Sequence, residues 1–159
     1  MKIALGADHA GYDAKQSLLE HLRDAGHEVV DYGTHSHEST DYPLQAARVA
    51  RSVSAGKVDR GVLVCGTGIG MSITANRFRG VRAAVVHDTF TAEVARSHND
   101  ANVLCLGSRV LGQEKMNRLV DIFLSTDFEG GRHARRVELM TSYDDPAQRD
   151  RVPSDPEQG

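Results

Sequence analysis

The sequence predicts an α/β protein, a single five-stranded parallel sheet with helices on both faces. Three observations point to it. Short apolar runs and amphipathic stretches take turns along residues 2–142. The runs are continuously apolar and rich in β-branched residues, as strands covered on both sides are. Each run is separated from the next by a helix-length stretch, which a parallel crossover requires. A chain of 159 residues suits one domain.

Residues 2–7 read as the first strand. Residues 14–25 read as a helix, with Leu18, Leu19 and Leu22 on one face and Gly26 as its stop. Residues 28–32 form a second short strand, and the polar stretch 34–40 a loop. Pro43 opens a helix over 43–54, where its fixed φ suits the first turn. The third strand is 61–65, and a helix at 70–76 follows its loop. Residues 82–86 are the fourth strand. A helix at 89–97 is capped by Asp88 or Thr89. Residues 102–106 are the fifth strand. A helix at 113–124 turns Met116, Leu119, Val120 and Phe123 inward, and a last helix covers 131–142. This places one domain over residues 1–143. From Asp144 the sequence is polar and Pro-containing, and it predicts a mobile tail over 144–159.

Composition narrows the function. A net charge of −3 gives no general reason to bind nucleic acid. No apolar run approaches the length of a membrane span, and the N-terminus enters a strand pattern without a signal-peptide core. Two cysteines without CxxC spacing suggest a reduced, cytoplasmic setting. His35 and His37 lack partners at a metal-binding spacing and read as loop residues, and no motif of the chain calls for a metal or cofactor.

Ligands of open parallel sheets sit outside the carboxyl ends of the strands. There the sequence puts Asp8-His9, Cys65 to Gly70, His87-Asp88 and Gly107-Ser108-Arg109. The loop Gly66-Thr67-Gly68-Ile69-Gly70 matches neither a dinucleotide fingerprint nor a P-loop. Three alternating glycines suit backbone N–H groups closing around an anion. Cys65 at the lip of that loop is either a small buried hydrophobe or a thiol activated by loop dipoles. Asp8 could cap a helix or bind a ligand. His98 could simply complement a helix C-terminus. Arg132 and Arg136, four apart, share a helix face that suits a phosphate or plain solvation.

Seven blocks, in order, resemble the type B ribose-5-phosphate isomerase family, which also includes galactose-6-phosphate isomerase subunits. They are Gly6-Ala7-Asp8-His9-Ala10-Gly11, Thr40-Asp41-Tyr42-Pro43, Cys65 to Ser72, Ala75-Asn76, Ser97 to Asn102, Gly107-Ser108-Arg109 and Glu129-Gly130-Gly131-Arg132-His133. The resemblance implies a three-layer α/β/α Rossmann-like sandwich and a homodimer with a shared active site, sometimes paired into tetramers. It implies metal-free aldose–ketose isomerisation of a sugar phosphate through an enediolate. On this pattern Cys65 is the proton-abstracting base. Members lacking it carry a glutamate a few residues later, and Gly70-Met71-Ser72-Ile73 offers none. The pattern makes His98 the ring-opening acid–base and proton donor, with Thr67 assisting. Asp8, His9, Asn99 and the loop Gly66, Thr67, Gly68, Ile69 and Gly70 bind the sugar. His9, Arg109, Arg132 and Arg136 surround the phosphate, with His98 and Arg109 coming from the partner. Ribose 5-phosphate is the expected substrate. Erythrulose 4-phosphate and allose or galactose 6-phosphate are alternatives. A non-catalytic nucleotide- or flavin-binding module is a distant second class.

Overall fold

The computed structural model describes residues 1–149. Its strands are β1 (Lys2–Ala7), β2 (Glu28–Asp31), β3 (Arg60–Cys65), β4 (Ala83–Val85) and β5 (Val103–Gly107). All pair in parallel, in the order β2-β1-β3-β5-β4. The helices are α1 (Tyr12–Asp24), α2 (Tyr42–Ser54), α3 (Ile69–Ala75), α4 (Thr89–Ser97), α5 (Gln113–Ser125), α6 (Arg132–Ser142) and the short α7 (Pro146–Arg149). Every expected strand and helix is present, with ends displaced by no more than a turn.

Strand order and right-handed crossovers decide which helix covers which face. The step from β1 to β2 moves outward, so α1 lies on one face. The chain then returns past β1 to β3 and goes on past β5 to β4, moving the opposite way, so α2 and α3 lie on the other. The step back from β4 to β5 returns α4 to the first face, where α5 joins it. The buried residues follow this division. Ile3, Leu5, Val62, Val64, Leu104 and Leu106 pack with Leu18, Leu22, Leu119 and Phe123. Ala4, Leu63, Cys65, Val103 and Cys105 pack with Ala46, Val49, Met71 and Ala75. Successive strand residues thus face opposite layers, which is why the runs read as continuously apolar.

Lys15 is fully buried in α1, where the helical period calls for an apolar residue. It forms an ion pair with Asp31 at the end of β2. Removing Asp31 would strand the buried Lys15 charge.

The edge strand β4 is closed by a side chain. Asn76 accepts from the Ala83 N–H at 2.8 Å and donates to the Ala83 carbonyl at 2.9 Å, imitating a neighbouring strand. Asn76→Ala is expected to lower stability by about 1–2 kcal/mol, two backbone hydrogen bonds being lost at a partly open site. Urea unfolding checks this; an unchanged midpoint would contradict it.

Beyond α6, Asp144 accepts from the Gly80 N–H at 2.7 Å, and α7 follows. The rest of the expected tail, residues 150–159, lies outside the described residues. No helix among the described residues is long and apolar enough to cross a membrane.

Candidate active site

Parallel pairing of β1, β3 and β5 lines up three strand-end loops at the carboxyl edge. Cys65 ends β3 in the middle of the sheet and is 5% exposed. Gly68 donates its N–H to Cys65 Sγ at 3.1 Å. That contact depends on Gly68 having φ of 80°, a left-handed conformation that other residues adopt at a cost. The sulfur thus has a backbone donor from its own loop. Gly70 lies under the ring of Tyr42, so close that a Cβ would fall 2.6 Å from its carbons. Thr67 is exposed, and its backbone crosses Gly107 at the end of β5.

The neighbouring loops are tied to this one. Ser108 donates its N–H to the Cys65 carbonyl at 2.8 Å, and its hydroxyl donates to the Ala10 carbonyl at 2.7 Å. Asp8 is 6% exposed and accepts from the Gly11 N–H at 3.0 Å. It is therefore a cap, as one reading of the sequence has it. Its second oxygen has no hydrogen-bond partner among the described residues. His9 Nδ1 accepts from the Thr40 N–H at 3.2 Å, which leaves Nε2 to carry the ring proton.

Arg109 departs from its expected grouping with His98. Its N–H donates to the Gly66 carbonyl at 3.0 Å, and its guanidinium lies against Gly66 of the same chain. The cause is strand order: β5 is the direct neighbour of β3, so the residues after the two strands meet.

Cys105 shares the sheet face of Cys65 but not its exposure. Burial pushes the Cys105 thiol up, and Cys65 beside it acts in the same direction. It remains an inert core thiol.

The other expected residues assemble elsewhere. Helix α4 runs back from the carboxyl edge, so His98 at its C-cap and exposed Asn99 stand at the amino edge. Hydrogen bonds from Ala101 N–H to the Ala95 carbonyl and from Asn102 N–H to the Arg82 carbonyl hold that turn. Five residues of β5 separate this edge from Cys65, about 16 Å at the rise of a strand. Arg132 opens α6 beside His98, and Arg136 lies one turn on. Neither has an ion-pair partner among the described residues. One chain therefore holds the expected residues as two separate groups: Asp8, His9, Cys65 to Gly70 and Arg109 at one edge, and His98, Asn99, Arg132 and Arg136 at the other.

Sequence reasoning did not single out Glu129 or His133 as site members. The His133 ring stacks on His98 with centroids 4.2 Å apart and planes 7° apart. Glu129 Oε2 lies 3.8 Å from His98 Nε2 and 3.7 Å from His133 Nε2. The spacing of Glu129 and His133, four residues apart beside an arginine-rich helix start, is the only sequence signal. These three residues are close enough to suggest a metal, with ligand atoms within 4.8 Å of one another. The rings argue against it, because a cation must lie near both imidazole planes and parallel planes do not meet.

Known proteins resemble the chain over most of its length. A family model described as Ribose/Galactose Isomerase matches residues 3–140. Ribose-5-phosphate isomerase B of Escherichia coli (strain K12) is 50% identical over 143 residues, covering 90% of this chain and 96% of that protein. D-erythrulose-4-phosphate isomerase of Pectobacterium atrosepticum is 42% identical over 145 residues, covering 91% of this chain and 95% of that protein. Among solved structures, ribose-5-phosphate isomerase B of Clostridium thermocellum superposes with a TM-score of 0.89 at 44% identity, covering 96% of this chain and 100% of that one. The Mycoplasma genitalium ribose-5-phosphate isomerase B with bound ribulose-5-phosphate gives 0.86 at 42% identity, covering 89% and 95%. With its full sheet, its cysteine loop and nearly its whole described length matched, the chain belongs to the ribose/galactose isomerase family.

Proposed function

We propose that this protein interconverts ribose 5-phosphate and ribulose 5-phosphate as a homodimer. Each active site joins the Cys65 edge of one chain to the His98 edge of its partner. The observation that carries the reading is Cys65 itself, a strand-end thiol whose sulfur accepts the Gly68 N–H beside an open glycine loop. Support for two chains comes from the split site and from exposed apolar side chains. Tyr42, Leu44, Ile69 and Ile73 are exposed around the cysteine loop, and Leu139 and Met140 on α6. Helix α6 buries only His133.

The chemistry follows from the residues. His98 takes the anomeric hydroxyl proton and the ring oxygen gains one, so the C1–O4 bond breaks and an aldehyde forms. Cys65 removes the C2 proton. The electron pair becomes the C1–C2 double bond, and the negative charge goes to O1 against the N–H groups of Gly66 to Gly70. Return of the proton to C1, with transfer of the O2 proton to O1 assisted by Thr67, yields the ketose. Asp8 and Asn99 hold sugar hydroxyls. His9 and Arg109 meet the phosphate from the cysteine side, and Arg132 and Arg136 from the partner's side. No step calls for a metal or cofactor. A working Cys65 must stay reduced, which points to the cytoplasm.

The relative acting on erythrulose 4-phosphate favours a second reading, a tetrose phosphate in the same site. A panel of tetrose, pentose and hexose phosphates compared by kcat/KM decides between them. Ribose 5-phosphate is expected to lead by about tenfold or more, the discrimination a pocket obtains from one carbon and its hydroxyl. A lead for erythrose 4-phosphate would transfer the assignment to the tetrose.

A further inference from the structure

We infer that His133 is a positioning residue for His98, a neutral imidazole plate that fixes the plane of the His98 ring while Glu129 stands at His98 Nε2. The inference rests on His98 being the ring-opening group.

The geometry has four parts. His98 ends α4 half-exposed, and its ring makes no hydrogen bond among the described residues. The plate that meets it is fixed: His133 is buried in the first turn of α6, and its N–H donates to the Gly130 carbonyl at 2.9 Å. Second, Arg132 Nε donates to His133 Nε2 at 3.4 Å. Arginine has only donors, so that nitrogen offers its lone pair, the ring proton sits on Nδ1 and the ring is neutral. Burial first, then the charges of His98, Arg132 and Arg136, hold His133 below the ordinary imidazole range, with Glu129 opposing.

Third, Glu129 is anchored to α4 by its N–H, which donates to the Ser97 carbonyl at 3.0 Å. Its carboxylate faces both rings, but His133 Nε2 already accepts from Arg132, so only the His98 ring can turn an N–H toward it. Carboxylate and neutral plate together therefore steady the imidazolium that His98 becomes when it takes a proton. Fourth, Arg132 belongs to the phosphate half-site as well. The residue that meets the phosphate thus also holds the plate under the ring-opening histidine.

The test separates ring opening from isomerisation. Erythrose 4-phosphate carries its phosphate on O4 and cannot close a furanose, so it needs no ring opening. His133→Ala is expected to lower kcat/KM for ribose 5-phosphate by about 10- to 100-fold, the scale of a misplaced catalytic group, and for erythrose 4-phosphate by less than about threefold. His133→Phe, which restores a plate if the alanine variant folds poorly, is expected to keep the pentose-to-tetrose ratio within about threefold of the unaltered protein. Equal losses on both sugars in His133→Ala, or a phenylalanine variant as pentose-impaired as the alanine one, would overturn the inference. His98→Asn runs beside them. Pentose-selective loss there with equal losses in His133→Ala overturns this inference alone. Equal losses in His98→Asn remove the ring-opening role and the inference with it.

Discussion

Cys65→Ala is expected to lower kcat for ribose 5-phosphate by about 10³-fold, within the usual contribution of a positioned base. The substitution removes one sulfur from a buried strand end and leaves the packing of β3 intact. The circular dichroism spectrum should be unchanged and the melting temperature close to that of the parent. The Michaelis constant should move little, because the proposed hydroxyl and phosphate contacts belong to other side chains. Cys105→Ala is the control. That thiol is fully buried and held in its neutral form, so its loss should reduce stability and spare kcat. A Cys65→Ala enzyme within tenfold of the parent would show that another group moves the C2 proton.

Gly68→Ala should cost both stability and rate. At φ of 80° an alanine is strained, by about 1–3 kcal/mol for a residue forced into a sparsely populated region. The added Cβ would lie 3.2 Å from backbone atoms of Cys105 and Leu106, which cannot move without disturbing β5. The loop has to shift instead. With it shifts the N–H that donates to Cys65 Sγ and those proposed to hold the enediolate. Losing one such donor typically costs about 10²–10³ in kcat, and that is the expected fall. Thermal unfolding and steady-state kinetics on one preparation measure both effects. An alanine variant with unchanged melting and kcat would mean that the loop tolerates the side chain and that its N–H groups do no catalytic work.

Much of the fold was legible because its strands are buried on both faces. Val62-Leu63-Val64 and Val103-Leu104-Cys105-Leu106 leave no polar side to misread, and Asp88 caps α4 with its side chain on the Thr91 N–H as the sequence suggests. Lys15 was not legible as a core residue. A lysine in the apolar stripe of α1 makes sense only once β2 brings Asp31 beside it, a long-range pairing that no local pattern records. Asn76 likewise reads as a polar residue at the end of a helix until β4 proves to be the edge strand.

The site divides in the same way. Cys65 and its loop were readable because apolar run, thiol and glycines are contiguous. Arg109 was assigned to the wrong half because its neighbour depends on strand order. Periodicity reveals that β3 and β5 exist but not that they are adjacent. His133 was passed over because a helix beginning Arg-His-Ala-Arg-Arg reads as a solvated face. Its burial comes from the Glu129 loop closing on α4, again a contact between distant segments.

The proposed site shared between two subunits makes one arithmetic prediction. Cys65→Ala and His98→Asn, each inactive alone, are mixed after dissociation and allowed to re-pair. Random pairing makes half of the dimers mixed, and each mixed dimer has one site with both residues intact and one with neither. The mixture should therefore recover about a quarter of the parent specific activity, as an isologous twofold dimer dictates. Recovery to that level is the predicted result. A mixture no more active than its two components, with re-pairing verified by mass spectrometry of differently labelled chains, would contradict a site shared between subunits.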